Sequence, residues 1–423
     1  MSKRTYRATS VNKVVVENIE KQLLRGERLI VAVDVAKTDN KAALLQGERI
    51  VMTVGWKAPA ENRQWFDLVA RLHAISPVEL VMESTGTYGD PLRGEMERRG
   101  IAVYRVSGKH ASDAAELFDG VPSMHDVKAA HLLGWLHLRG RSRRWAIKAE
   151  EERDLAAASE LYCMHNDLFM ACLGRLEAKV ARHFPELTSV VDLENASTLE
   201  VLAKFGDPRQ IAAQSATTRE LMRRVGGPLL ALEKIDAVIV AARTTTGLPM
   251  SAGERASLMH LAAEANRQRV LKGEAKKSLE VHVDKCAPMK RTAEVVGPAT
   301  AAVLFSEAGD PGAYAAPAAY VKALGLNLKE RSSGQHQGQL KITKRGSPTA
   351  RKLLFMAVLR AVKTEPLFKA WYERKVERDG GKRKLKALTA LMRKLASSLW
   401  HVARGAPFDP NKLLDARRLG MAA

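Results

Sequence analysis

Apolar runs of strand length recur near the start of the chain. "RLIVAVDVAK", "KAALLQ" and "RIVMTVGW" predict three short strands, with turn residues near Asp39-Asn40 and at Gly47. The pattern then changes period. "AENRQWFDLVARLHAI" carries its apolar residues at helical spacing, whereas "VELVMES" is a compact apolar run that predicts a buried strand. "DPLRGEMERRG" predicts a helix with Pro91 in its first turn and Gly100 as its stop. "IAVYRVS" predicts a fifth strand, and "ASDAAELF" and "HDVKAAHLLGWLHL" predict helices. The order β-β-β-α-β-α-β-α over 27–140 implies a mixed sheet with helices on its faces.

Beyond the basic run "RGRSRRW" at 139–145, which predicts a joint, the chain becomes helical. "AEEERDLAAASELYCMHNDLFMACLGRLEAKVARHF" holds helix formers for over thirty residues, with no Gly or Pro before Gly174, and predicts a long hairpin arm or coiled coil. Residues 186–292 predict further helices. "VVGPATAAVL" reads either as a helix-hairpin-helix or as a plain helix start at Gly297-Pro298. A polar, Gly-containing loop, "ERSSGQHQGQLKITKRGSPTARKLL", and basic amphipathic helices follow. The expected division is an extension over 1–26, an α/β domain over 27–145, a helical or coiled-coil arm and linker over 146–290 and a mostly α-helical domain over 291–423.

Charge narrows the partners. The 423 residues carry a net charge of +21, and 331–423 hold 22 lysines and arginines against 6 aspartates and glutamates, so most of the excess lies there. Such a balance predicts a polyanion as partner. No apolar run approaches the ~20 residues of a membrane span, and the basic N-terminus lacks a signal-type apolar core. Cys163, Cys172 and Cys286 have no metal-ligand spacing, which fits a reducing, cytosolic setting.

Asp34 interrupts the first apolar strand, where an unpaired carboxylate costs several kcal/mol or more. Glu83 ends the fourth predicted strand, and Asp126 opens the helix after the fifth. Parallel neighbouring strands bring the first two together, and a following helix can bring the third. Grouped carboxylates repel unless a hard cation neutralises them, and Mg²⁺, with oxygen ligands and retained waters, suits phosphodiester chemistry. Each acid also has a plainer reading: a strand-end or backbone acceptor for Asp34, helix caps for Glu83 and Asp126.

This order of elements, with acids at these positions, resembles the RuvC-like, RNase H-like nuclease fold. "VDVAKTDNKAAL", "VMESTGTYGDPL" and "HDVKAAHLLG", joined to "GLNLKERSSGQHQGQLKITKRGSPTARKLL", resemble the DEDD recombinases of insertion-sequence family one-ten, relatives of the pilin-gene invertase. The similarity covers roughly 27–145 and 290–365. It implies a bacterial, nucleoid-associated transposase with a Mg²⁺ site at Asp34, Glu83 and Asp126 and a serine-bearing C-terminal domain. It also implies a non-coding bridge RNA that pairs with donor and target DNA, and a homo-oligomer, dimer or tetramer, with no membrane partner. One position departs from the family: its third and fourth acids stand three apart, and here Ala129 follows Asp126 at that spacing. Asp119, His125 or a three-acid site are the ways to complete the set, and a degenerate, non-cleaving nucleic-acid-binding copy is an alternative.

The serine directly before Gly334 matches the family's catalytic serine, so Ser333 is the expected nucleophile, with Ser332 in reserve. A serine hydroxyl needs activation at neutral pH, which a carboxylate-held metal can supply. Arg331, Lys341, Lys344, Arg345, Arg351 and Lys352 around this loop, and Arg141, Arg143 and Arg144 in the joint, are the expected nucleic-acid contacts. A sugar-kinase-like ATPase shares an early strand-Asp motif, but "DVAKTDN" offers no Gly-rich phosphate turn.

Overall fold

The computed structural model describes residues 6–24, 26–84, 86–330 and 340–415, which fall into two compact units, 1–149 and 150–423.

In the first unit the described strands are β1 (Thr9–Ser10), β2 (Leu29–Asp34), β3 (Asp39–Gln46), β4 (Arg49–Lys57), β5 (Val78–Glu83), β6 (Ala102–Val106) and β7 (Ser142–Trp145). The helices are α1 (Val16–Glu20), α2 (Asn62–Ile75), α3 (Asp90–Arg98), α4 (Gly108–Asp119) and α5 (Asp126–Leu138). The seven strands form one mixed sheet in the order β1-β4-β3-β2-β5-β6-β7. β2, β3 and β4 make an antiparallel meander; β5 pairs with β2, and β6 with β5, in parallel. The β3–β4 turn falls at Gly47, whose positive φ of 55° glycine adopts without steric cost.

Helices cover both faces. Leu29, Val31 and Val33 of β2 and Leu80 and Met82 of β5 pack with Trp65, Leu72, Leu92 and Met96 of α2 and α3. Ile30, Ala32 and Val81 turn the other way, onto Ala130, Leu133 and Leu136 of α5 and the alanines of α4. Burial on both faces is why these strands read as unbroken apolar runs. Trp56 of β4 and Trp65 of α2 stack with ring centroids 4.1 Å apart.

Two sequence expectations are corrected. The Asp39-Asn40 turn lies earlier, at 35–38: both residues belong to β3, and buried Asn40 Oδ1 accepts from Ala36 N at 2.8 Å, tying that turn to the strand. The basic joint at 139–145 contains β7, paired antiparallel with β6. Ser-Arg-Arg-Trp has little strand character of its own; pairing with β6 makes it the sheet edge, where charged side chains also discourage further strand addition.

In the second unit α6 (Glu150–His183) runs unbroken through Gly174 for 34 residues. It is followed by α7 (Leu187–Val190), α8 (Ala196–Phe205), α9 (Pro208–Ala213), α10 (Ser215–Gly226), α11 (Leu232–Arg243) and the equally long α12 (Ala252–Lys285). α6 and α12 pack antiparallel: Leu176 and Val180 share a core with Leu258 and Ala262, while Leu155 and Ala158 share another with Leu279 and Val283. His165 Nδ1 meets Gln268 Oε1 at 2.8 Å between them. A Ser251–Glu254 capping box starts α12. α7–α11 cover one end of this arm with Phe184, Phe205 and Ile235 in their core.

The chain continues as α13 (Ala287–Val296), α14 (Pro298–Ala308), α15 (Pro317–Ala323), β8 (Leu328–Lys329), β9 (Lys341–Ile342), α16 (Pro348–Thr364), α17 (Pro366–Arg378), α18 (Lys384–Ala403) and α19 (Pro410–Leu414). Gly297, at φ 87°, joins α13 to α14, with Pro298 at the first helical position. These helices share one core with the root of the arm: Leu155 and Leu279 pack in the cluster of Leu304, Tyr320, Leu354 and Leu391. Packing therefore runs across the expected 290/291 division. No helix among the described residues is long and apolar enough to cross a membrane.

α5 lies close on the sheet because Gly134 has no side chain: a Cβ there would stand 2.6 Å from Leu45 Cδ1 and 3.3 Å from Ala32 Cβ. Gly134→Val should lift α5 and lower the melting temperature, the overpacking costing about 1–3 kcal/mol. Adding Leu45→Ala should recover part of the loss in calorimetric scans.

Candidate active site

β2 and β5 run in the same direction with Val33 opposite Met82, so Asp34 and Glu83 come next to each other at the two C-terminal ends. Side chains alternate along a strand, and both acids fall on the face of Ile30, Ala32 and Val81, the face covered by α5. Asp126 is the first residue of α5, where a negative charge also suits the helix dipole. The electrostatics register this convergence. Asp34 is pushed up to about 6, first by burial and then by the charges of Asp126 and Glu83.

Three acids from three elements thus act on one place. Among the described residues, however, no group of three or more His, Cys, Asp or Glu side chains is arranged to hold a metal ion as it stands. The donor chemistry fits a hard divalent cation that keeps several waters and takes only one or two carboxylates. The raised Asp34 is the group such a cation would relieve.

Asp119 stands apart from this set. Its Oδ1 accepts from Lys128 Nζ at 2.6 Å and from Val121 N at 3.0 Å, and its Oδ2 accepts from Tyr6 Oη at 2.9 Å. The Asp119 and Lys128 side chains are only 6% and 2% exposed. The bond from Lys128 leads the causes that hold the Asp119 carboxyl below its usual range. His125 is the N-cap of α5, its Nδ1 accepting from Lys128 N at 3.2 Å. Ala129 follows Asp126 by one turn on a half-buried part of the helix.

Lys128 and Tyr6 were not singled out from the sequence. The signal for Lys128 was present: a lysine inside the apolar helix "VKAAHLLGWL" must find acceptors if it is buried. Tyr6 lies more than a hundred residues from its partner and gives no local signal.

Ser332, Ser333 and Arg331 lie outside the described residues, in a segment that β8 and β9 bracket as an antiparallel pair. Lys341, Lys344 and Arg345 are exposed beside it. Arg351 is half-buried, and its Nη1 donates to Leu324 O at 3.2 Å and Gly346 O at 2.8 Å. Lys352 is exposed and pairs with Asp167 of α6. In the first unit Arg141, Arg143 and Arg144 are exposed, and Arg144 Nη1 also reaches Val103 O at 3.1 Å.

The sequence model of the transposase IS116/IS110/IS902 family matches residues 291–373, from α13 into α17, including the β8–β9 pair. A protein of Streptomyces coelicolor, the insertion element IS110 uncharacterized 43.6 kDa protein, is 23% identical over 331 residues, covering 74% of this chain and 76% of that protein. The chain is thus similar to the IS116/IS110/IS902 transposase family over 291–373, and to an IS110 element protein over most of its length. Both similarities favour the recombinase expectation over the ATPase one.

The raised Asp34 has a consequence for stability. Between the ordinary carboxylate value of about 4 and about 6, the unfolded chain has lost the proton that the folded chain retains. Stability falls as pH rises through that window, and the whole penalty is present above it. Asp34→Asn should therefore raise the melting temperature of chelator-treated protein at about pH 7.5 and leave it nearly unchanged at about pH 2.5, where Asp34 is protonated in both states. Melting curves across this range check the sign.

Proposed function

We propose that the chain is an RNA-guided DNA recombinase whose first unit is an RNase H-like, RuvC-like domain, and that it moves an insertion element by cleavage and strand exchange. The observation that carries the reading is the convergence of Asp34, Glu83 and Asp126 from β2, β5 and α5, registered in the raised carboxyl of Asp34. The strand order, a meander followed by two strands parallel to its first member, supports the fold assignment.

Asp34, Glu83 and Asp126 are the groups that would hold Mg²⁺. When bound, the ion would polarise a phosphate oxygen or lower the pKa of an attacking hydroxyl. The three carboxylates would supply its protein oxygens at the C-terminal ends of β2 and β5 and the start of α5. Asp119 is left out of this set, since Lys128, Val121 and Tyr6 already use its oxygens. Ser333 is the proposed nucleophile. Its Oγ bonds to the scissile phosphorus as one bond from phosphorus to a deoxyribose oxygen breaks, and the serine proton ends on the released sugar hydroxyl. The phosphoserine ester keeps the energy of the diester, so a second strand's hydroxyl can reverse the step without ATP. Lys341, Lys344 and Arg345 supply positive charge beside that loop for phosphate oxygens. Together with Arg141, Arg143 and Arg144 they are proposed contacts for a structured guide RNA and for donor and target DNA.

A second reading, a nucleic-acid-binding copy without cleavage, is favoured by Ala129 alone. One set of variants separates the two. Asp34→Ala, Glu83→Ala and Asp126→Ala should each lower Mg²⁺-dependent cleavage of DNA carrying the element's ends by at least about 100-fold, with RNA binding retained. Full cleavage by any of them removes that acid from the site. Wild-type protein inert under all divalent conditions favours the second reading.

Ser333→Ala should abolish the protein–DNA adduct seen on denaturing gels, whereas Ser332→Ala should keep it. RNA binding should weaken with salt, and each lost phosphate contact should lower the log–log slope by about 0.7–0.9. Affinity indifferent to salt argues against the RNA partner.

A further inference from the structure

The segment 120–125 that leads into Asp126 has no regular secondary structure, and its residues are exposed. One buried ammonium gathers it. Lys128 Nζ spends its three donors on Asp119 Oδ1 at 2.6 Å, Val121 O at 2.5 Å and Ser123 O at 2.9 Å. The backbone N–H of the same residue donates to the His125 ring at 3.2 Å. Tyr6 closes the arrangement from the N-terminal extension. Its hydroxyl donates to Asp119 Oδ2 at 2.9 Å, and its ring meets the His125 ring nearly edge-on, 4.6 Å between centroids. A second ring, His131, lies 5.6 Å from Tyr6 and is fixed by a 2.8 Å hydrogen bond to Thr53 of β4.

We infer that Tyr6, Asp119 and Lys128 form a clamp of positioning residues that sets Asp126 against Asp34 and Glu83. The inference rests on the acidic-site reading given above and deepens it. The sequence offered Asp119 as a substitute for the acid missing at Ala129; in the clamp it acts on the centre only through Lys128 and the loop. The physical reason is order. A carboxylate on the first residue of a helix inherits the freedom of the segment before it. Tying that segment's carbonyls to a side chain two residues into the helix removes that freedom before any ligand arrives. A fully satisfied buried network is rigid, whereas one with a partner missing leaves a charge without compensation.

The test uses the full-length chain and separates positioning from simple stability. The double variant Asp119→Leu/Lys128→Met removes both charges together, which buried ion pairs often tolerate with little loss of stability. Asp119→Asn keeps an oxygen acceptor for Lys128 but would cripple a metal ligand. Tyr6→Phe removes only the hydroxyl. Asp34→Asn is the control for the acidic site itself. Three quantities are read: amide hydrogen exchange over 120–128, the midpoint of a Tb³⁺ luminescence titration, and Mg²⁺-dependent DNA cleavage.

The double variant should exchange faster over 120–128 while the rest of the first unit stays protected. Its Tb³⁺ midpoint should rise, and its cleavage fall, by roughly tenfold, the scale of outer-shell effects on metal sites. Tyr6→Phe should move the same quantities in the same direction by less, and Asp119→Asn should keep most of the cleavage. Native exchange, Tb³⁺ midpoint and cleavage in the double variant overturn the clamp. Should the double variant fail to fold, Tyr6→Phe and Asp119→Asn decide: wild-type behaviour of the first, or loss of cleavage in the second as complete as in Asp126→Ala, overturns it. If Asp34→Asn binds Tb³⁺ and cleaves like the wild type, the acidic-site reading itself fails. If Asp34→Asn loses both while the clamp variants keep both, only the clamp fails.

Discussion

The parallel ladder between β2 and β5 is the constraint on which the candidate centre depends. It sets Leu29 against Val78 and Val33 against Met82, and so carries Asp34 alongside Glu83 at the two strand ends. Neighbouring acids repel, and Asp34 is partly buried as well, a combination that costs several kcal/mol. The ladder outweighs it. Leu29, Ile30, Val31, Val33, Leu80, Val81 and Met82 are all essentially inaccessible to solvent. Each such side chain contributes about 1.5–3 kcal/mol on burial. Burial first and repulsion second are therefore held in place, as a carboxyl raised to about 6, and the charge is available to be neutralised by a cation.

The third acid comes by a different route. Asp126 rides on a helix whose height above the sheet is set by Gly134 against Leu45 and Ala32. Its other coordinate is set from outside the helix, by the loop that Lys128 gathers and Tyr6 covers. Polar groups that look like spare chemistry in the sequence thus divide into two kinds. Asp34, Glu83 and Asp126 act on one another, whereas the Asp119 and Lys128 side chains neutralise each other as a buried pair. In the second unit the same division separates Arg351, which holds the carbonyls of Leu324 and Gly346, from exposed Lys341, Lys344 and Arg345 next to the proposed serine loop.

Element type was largely legible in the chain, because burial on both faces writes long apolar runs and the α6 sequence lacks a helix breaker before Gly174. Legibility failed where one contact decides. Asp39 and Asn40 have the composition of a turn, yet Asn40 is buried in β3 and its side chain closes the turn before it. Arg143 and Arg144 have the composition of a linker, yet β6 recruits them as an edge strand.

The sequence by itself determined the alternation of strands and helices, the three acids at element ends, the basic C-terminal segment and the resemblance to an insertion-sequence recombinase. These are local or compositional properties, carried by period, charge and motif. Tertiary structure alone decided that Asp119 pairs with Lys128, that Tyr6 reaches across more than a hundred residues to bond to Asp119, and that the arm's root shares a core with the C-terminal helices. A buried charge takes whichever partner the packing brings within hydrogen-bond reach, and that choice is made in space, between residues whose separation along the chain carries no pattern.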